Sequence, residues 1–393
     1  MKVLIAHNRY RLSGGEETHV ALLERGLRDL GVGVRTYVRS SSEFTRTRRQ
    51  RFVTALGLTY RPGGGGIANA IDDWHPDVVH FHNIWPALTP AALRLAHTAR
   101  AAVVLTVHNY RFACPGGLLL RGGVAHDDCL EGSSLACGLR NARGSILESA
   151  AYGVALEIQR RLRLLERWVD AFVAPSAFMA DALVRAGIPS RRVHVIGNAI
   201  PAGLPLRPRG SSALFSGRLS PEKGIRVLLE ASQLAPDVQV VVAGSGPCEA
   251  EVLRAPVRYL GHLDAAGVAA AMEEAAFTLA PSQCFDNQPY SVIESLAAGR
   301  PVIASEIGGL PEVVIDGVNG LLVPAGSPQA LAKAMQRLSA DQELGERLSV
   351  AAYSDARARF DLRSHAAQLE ALYAGLLPER GGPRPLARWV AQA

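Results

Sequence analysis

Nowhere in the 393 residues do 18 apolar side chains follow one another, so no membrane-spanning helix is expected. Near the start only Val3–Ala6 runs apolar before His7, Asn8 and Arg9 break it, which does not read as a secretion signal. Cysteine is scarce and odd in number, five in all. That argues against a disulfide scaffold and points to a reducing compartment, hence cytoplasm. Aromatics make up only 6% of the chain, too few to interleave as a base-stacking surface, so nucleic acid is not expected as a partner. The dinucleotide fingerprint GxGxxG and the phosphate loop GxxxxGK[ST] are both missing. No DxD metal signature stands at a sheet edge, since Asp72-Asp73 and Asp127-Asp128 are adjacent pairs. Lysine is nearly absent: Lys2, Lys223 and Lys333 complete the set, and arginine carries the net charge of +6. Such a balance favours anionic partners such as phosphorylated small molecules.

What is present is a globular pattern. Hydrophobic residues are 48% and charged residues 20%, which excludes a disordered or fibrous chain. The length suits two domains. Short apolar runs alternate with helical periodicity: Lys2–Ala6, Asp77–Phe81, Val103–Val107 and Ala171–Ala174 read as strands, and Glu17–Leu30 as an amphipathic helix with Val20, Leu23, Leu27 and Leu30 on one face. Residues 39–66, arginine-rich and glycine-rich, read as a mobile excursion. Ile146–Trp168 reads as one long helix. After NAIPAGLPLRPRGSS at 198–212 the alternation restarts, with strands at Ala213–Ser216, Val238–Ala243, Phe277–Ala280 and Val302–Ala304 and a helix over Glu222–Gln233. Strands separated by helices imply a parallel sheet covered on both faces. The expected architecture is α/β, two doubly wound Rossmann-like domains. The first covers 1–200, with a cysteine-containing insert near 110–145. A linker at 201–212 leads to the second domain, 213–360, and 361–393 forms a helical tail.

Three constellations carry chemistry. Gly14 and Gly15, with Glu16 and Glu17, stand between a strand and a helix, where backbone N–H groups can approach an anion; a turn without ligand is the plainer alternative. Arg218 and Lys223 bracket the helix start Ser220-Pro221, with Ser220 as N-cap, and two cations beside free N–H groups suit a diphosphate. The third run, residues 281–305, reads strand, loop, helix, glycine turn, strand. It places Asp286 in the loop before the helix, Tyr290 and Ser291 at its start and Glu294 within it. Carboxylates there can accept from sugar hydroxyls, and the helix N-terminus can hold a phosphate.

Asp286 followed eight positions later by Glu294, then AAGRPVIAS at 297–305, IGGLPEVV at 307–314 and DGVNGLLVP at 316–324, resembles the retaining, nucleotide-sugar-dependent glycosyltransferases of GT-B fold, known as family 4 or group 1. The resemblance extends over nearly the whole chain. It implies an acceptor-side first domain facing a nucleotide-sugar-binding second domain across a cleft. By it, Arg218 and Lys223 bind the diphosphate, Glu294 holds the ribose, Asp286 touches the transferred sugar, and the backbone at Tyr290 and Ser291 assists the phosphate. Gly14 and Gly15 approach donor phosphate or acceptor, and His108 lies near the reacting sugar; a satisfied loop histidine is its plainer alternative. Asp286 stands where the family has Glu, a shorter reach for the same charge. The implied reaction is sugar transfer with retention from a UDP- or GDP-sugar to a saccharide, lipid-linked glycan or small-molecule acceptor, with neither cofactor nor metal.

Cys114, His126, Cys129 and Cys137 give a set that can ligate zinc, although free cysteines in a loop are the favoured reading. Arg46–Arg61 and the arginines of 160–167 suit peripheral contact with an anionic membrane face, which relatives acting on lipid-linked glycans imply; a solvated basic face is the plainer alternative. Against the transferase stand a phosphorylase, which would need a better-placed lysine for pyridoxal phosphate, and a catalytically silent nucleotide-sugar or glycan binding subunit, for which Asp286 speaks.

Overall fold

A computed structural model describes residues 1–9, 14–40, 65–85, 88–139, 145–201, 206 and 208–377. The chain divides into two compact units. The first comprises Met1–Leu119, His126–Asn198 and the chain from Leu362 on; the second comprises Leu120–Ala125 and Ala199–Asp361. Of the excursion expected over 39–66, residues 39–40 end the strand Gly33–Ser40 and 65–66 open the helix Gly65–Trp74, while 41–64, with the arginines Arg46–Arg61, lies outside the described residues, as do Ser13 and the tail beyond 377.

In the first unit, six parallel strands pair in the order β2-β1-β3-β4-β7-β8. They are β1 (Lys2–Arg9), β2 (Gly33–Ser40), β3 (Val78–Asn83), β4 (Ala102–Thr106), β7 (Ala171–Ala174) and β8 (Val193–Val195). The two-residue strands β5 (Leu120–Arg121) and β6 (Val124–Ala125) form a separate antiparallel hairpin. β3 and β4 are buried on both faces, as a sheet covered by helices requires. Val20, Leu23 and Leu27 of the helix Gly15–Asp29 pack on Val3 and Ile5 of β1 and on Leu369 and Tyr373 of the last helix, Leu362–Leu376. A Cβ on Gly26 would stand 3.0 Å from that of Ala366, so glycine sets how closely these two helices approach.

The second unit repeats the plan. Its six parallel strands run β11-β10-β9-β12-β13-β14: β9 (Ser212–Ser216), β10 (Val240–Ala243), β11 (Arg258–Tyr259), β12 (Ala275–Ala280), β13 (Val302–Ser305) and β14 (Gly320–Val323). The helices Ile225–Leu234 and Pro328–Ala340 bury Leu228, Leu331, Met335 and Leu338 against β9, β10 and β12. Arg300 is fully buried and donates to the carbonyls of Met272, Glu273 and Pro208. Its charge sits at the C-terminus of the helix Ala265–Glu274, where carbonyls are unsatisfied and the dipole is negative. The doubly wound α/β architecture expected from the sequence is present in both units.

Three local expectations need correction. The long helix over 146–168 is two: Ile146–Arg161, capped by Ser145, and Leu164–Trp168, separated where Arg163 turns left-handed at φ 52°. The helix over Glu222–Gln233 is likewise a single 3-10 turn, Pro221–Lys223, followed by the helix Ile225–Leu234. Gly224 separates them at φ +74°, and Ser220 makes no capping hydrogen bond through its side chain. Finally, Cys129 and Cys137 are bonded to each other as a disulfide, with Cys114, Cys248 and Cys284 free and buried. Two bonded sulfurs cannot serve as thiolate ligands, so the zinc set of Cys114, His126, Cys129 and Cys137 is not available, and the reading of these cysteines as all free does not hold. Among the described residues no helix is long and apolar enough to cross a membrane.

Candidate functional site

In open parallel sheets, ligands bind outside the carboxyl ends of strands where the strand order reverses. In the second unit that point lies between β9 and β12, since β10 follows β9 on one side and β12 pairs with it on the other. The residues leaving β9 are Gly217, Arg218 and the turn to Lys223; those leaving β12 are Pro281–Asp286. Two of the three sequence constellations therefore meet at the switch point.

Their meeting is covalently simple and sterically demanding. Gly224 has its left-handed backbone pressed against Pro281, whose carbonyl oxygen would lie 1.7 Å from any Cβ there. Gln283 donates its N–H to the Glu222 carbonyl at 2.8 Å. Lys223 is thereby carried onto the 281–286 loop, where its ammonium donates to both oxygens of Asp286 at 2.7 and 2.8 Å. Ser282 donates its hydroxyl to the same carboxylate. Burial opposes the Lys223 charge, but Asp286, Cys284 and Glu222 outweigh it and hold the ammonium above its ordinary range. The neighbouring Cys284 thiol is pushed up to about 12 by burial and by Asp286. Arg218 differs: it is exposed and has no ion-pair partner among the described residues.

The loop is backed by a device the sequence reading only touched. Gly308 and Gly309 lie against the backbone of 285–287: a Cβ on Gly309 would meet the Asn287 carbonyl at 2.2 Å, and its N–H donates to the Asp286 carbonyl at 2.6 Å. IGGLPEVV thus braces the Asp286 loop through backbone contact, which only glycine permits. Gly244 and Gly246 similarly pack on the carbonyls of Gly217 and Leu219, a support the sequence reading missed.

The helix Tyr290–Ala297 starts after Pro289. The first-turn N–H groups of Tyr290 and Ser291 belong to the positive end of this helix. Tyr290 is buried, and burial together with Glu294 drives its phenol further above the ordinary range. Glu294 lies one turn on, with its carboxyl raised from 4.5 to about 7 by burial. Such a carboxyl, short of donors, is suited to take hydroxyls from a ligand.

The first unit has its own switch point, between β1 and β3. Here Gly14 and Gly15 open the helix Gly15–Asp29. The Gly14 N–H is already donated to Glu17 Oε2 at 2.8 Å, closing a capping box. Glu16 accepts from Asn109 at 3.0 Å and is raised to about 7 by burial. Glu16 and Glu17 thus place two carboxyl groups beside the Gly14–Gly15 turn. His108 follows β4, half-buried, stacked on His82 with centroids 5.6 Å apart. Burial and then His7 lower it to about 3, so its imidazole is neutral.

Comparison with known proteins matches the two halves separately. The family model described as Glycosyltransferase Family 4 matches residues 13–203, and that described as Glycosyl transferases group 1 matches 210–341. A phosphatidyl-myo-inositol mannosyltransferase of Mycobacterium leprae is 38% identical over 176 residues, 42% of this chain and 46% of that protein. The aligned stretch thus spans about half the length of this relative. A glycogen synthase of Mycobacterium tuberculosis is 28% identical over 341 residues, 80% of this chain and 72% of that protein. Among solved structures, HepE of Anabaena in complex with UDP-glucose superposes with a TM-score of 0.68 at 19% identity, covering 96% of this chain and all of that one. Sucrose-phosphate synthase from Thermosynechococcus elongatus gives 0.71 at 19% identity, covering 96% and 99%. At such identities these likenesses speak for the fold.

Proposed function

Because the chain has the GT-B fold and carries both glycosyltransferase domains, we propose that it transfers a sugar from a nucleoside-diphosphate donor to a hydroxyl acceptor with retention at the anomeric carbon. The observation that carries the reading is the grouping, at the β9/β12 switch point, of Arg218, Lys223, the start of the helix Tyr290–Ala297 and the desolvated Glu294. These are a diphosphate-binding pair of cations, a helix N-terminus for phosphate and a carboxyl for two ribose hydroxyls.

In this reading the C1–oxygen bond of the donor breaks and its electron pair leaves with the nucleoside diphosphate. Arg218 and Lys223 stabilise that developing charge. The acceptor oxygen forms the new bond on the face the phosphate left, and its proton passes to the departing phosphate oxygen. Asp286 reaches the sugar, and its ion pair with Lys223 gives way as the diphosphate arrives. His108, neutral, donates one N–H to a sugar hydroxyl. Tyr290 and Ser291 contribute backbone N–H groups; Gly14 and Gly15 line the acceptor side. A saccharide, a lipid-linked glycan and a small metabolite all satisfy this chemistry as acceptors. A UDP- or GDP-sugar is the expected donor; HepE of Anabaena is solved in complex with UDP and with UDP-glucose.

Calorimetric titration with UDP, GDP, ADP and TDP, each with and without EDTA, tests the donor site. One micromolar binder unaffected by EDTA is expected, and its labelled sugar conjugate should turn over to an axial or equatorial product matching the donor by NMR. A folded protein that binds none of the four refutes the reading.

A further inference from the structure

The first unit gathers six histidines: His7 on β1, His19 on the helix Gly15–Asp29, His80 and His82 on one face of β3, His108 after β4 and His365 on the last helix. His80 is committed, with Nδ1 2.6 Å from the Tyr373 hydroxyl and Nε2 2.7 Å from that of Thr106. His19, His82 and His108 form a different arrangement. One ring nitrogen from each lies within 4.8 Å of the other two. His82 Nδ1 is 3.3 Å from His108 Nε2, and the His19 ring lies edge-on to that of His108 at 4.9 Å. The second nitrogen of His82, Nε2, is buried and has no hydrogen-bond partner among the described residues.

We propose that His19, His82 and His108 are the three ligands of a divalent transition-metal ion of the zinc–cobalt class. Neutral imidazole is the ligating form, and the three ring nitrogens already face one another within 4.8 Å. Tetrahedral ligation at Zn–N distances of about 2.0–2.1 Å sets nitrogens roughly 3.4 Å apart, a separation that small ring rotations reach from the present one. Asn198 lies within hydrogen-bonding reach of His19, the kind of outer partner that fixes a ligand's tautomer. Glu17 is close enough to act electrostatically on His108, which adds negative potential toward a cation. Two of the ligands are buried and His108 is half-buried. Three neutral imidazoles suit zinc, cobalt, nickel and copper, and not magnesium or calcium. A His108 nitrogen bound to the ion cannot also donate to a sugar hydroxyl, so the sugar contact proposed above would fall to the other ring nitrogen.

The test uses the full chain without an affinity tag, stripped of metal and titrated with Co(II) and then Zn(II). A visible d–d absorption band of tetrahedral Co(II), saturating at about one ion per chain and displaced by Zn(II), is expected. His19→Gln and His82→Asn should each weaken binding at least about tenfold, while His262→Ala, on the exposed surface of the other unit, leaves it unchanged. A folded, metal-free protein that gives no band, or an affinity equal in wild type and His19→Gln, overturns the proposal. If His82→Asn does not fold, the His19→Gln comparison decides alone. Neither readout involves a nucleotide, so failure here is distinct from failure of the transferase reading.

Discussion

Lys223 and Asp286, 63 residues apart in sequence, are joined in a two-oxygen ion pair of 2.7 and 2.8 Å. The consequence is that the second cation of the proposed diphosphate site is already neutralised, whereas the first, Arg218, is not. A diphosphate arriving there competes with a carboxylate for one ammonium. Asp286→Asn removes that competitor. Nucleoside diphosphate affinity, measured by calorimetry, should rise by up to about tenfold, or roughly 1.4 kcal/mol. Turnover of the donor sugar should fall. Weaker diphosphate binding in the variant would show that Asp286 holds Lys223 in place rather than competing for it.

Arg218 and Lys223 should separate by their effect on stability. Arg218 is exposed and has no ion-pair partner among the described residues, so Arg218→Ala should leave the thermal midpoint within the range of a surface change, about 0.5 kcal/mol. Lys223→Ala strands Asp286 in a half-buried site and should lower the midpoint. Both should weaken diphosphate binding about tenfold or more, and the loss should shrink as salt rises. Calorimetry of the two variants at two ionic strengths checks each half of this statement.

Gly224 should tolerate no side chain. Its backbone is left-handed, and the Pro281 carbonyl occupies the place of a Cβ. Gly224→Ala must therefore move the Lys223 turn away from the 281–286 loop. A loss of more than about 2 kcal/mol in denaturant unfolding is expected, together with weakened diphosphate binding. Gly317, left-handed with open space around it, serves as the control, since its substitution meets backbone strain alone.

The disulfide has a direct chemical test. Alkylation of the unfolded chain without reductant should label three cysteines, Cys114, Cys248 and Cys284, and after reduction all five. Peptide mass analysis should place the linkage between Cys129 and Cys137. Label on all five before reduction would show that the pair does not form in the purified protein.

How much was legible beforehand follows from these same residues. The β9 and β12 runs and the glycine-punctuated helix at Tyr290–Ala297 were readable because buried parallel strands and helix signals are local. So were Arg218, Lys223, Asp286 and Glu294 as site candidates, since each lies just beyond a strand or at a helix start. The Lys223–Asp286 pair was not readable, because a contact across 63 residues depends on which strands are neighbours. The breaks at Arg163 and Gly224 were missed for a different reason. Each is a single left-handed residue within a sequence whose hydrophobic period continues across it. The histidine cluster is legible only in part: His108 is singled out through the family resemblance, but His19 and His365 lie on helices whose approach to β3 is purely tertiary.

Glu294 should impose opposite pH slopes on stability and on donor binding. Its carboxyl is raised by burial from 4.5 to about 7, so the folded chain holds this proton more tightly than the unfolded chain. The stability it contributes is fully present below about 4.5 and is lost as pH rises through about 7. Glu294→Gln, which cannot ionise, should therefore match wild type at pH 5 and unfold at a higher temperature at pH 8. Donor binding should run the other way. The ionised carboxylate accepts both ribose hydroxyls and the protonated acid fewer, so affinity should climb between pH 6 and pH 8 in wild type and stay flat and weaker in Glu294→Gln. Thermal melts and calorimetry across that range read the two slopes independently. A donor affinity that keeps its pH dependence in Glu294→Gln would remove this residue from the ribose site while leaving the stability argument standing.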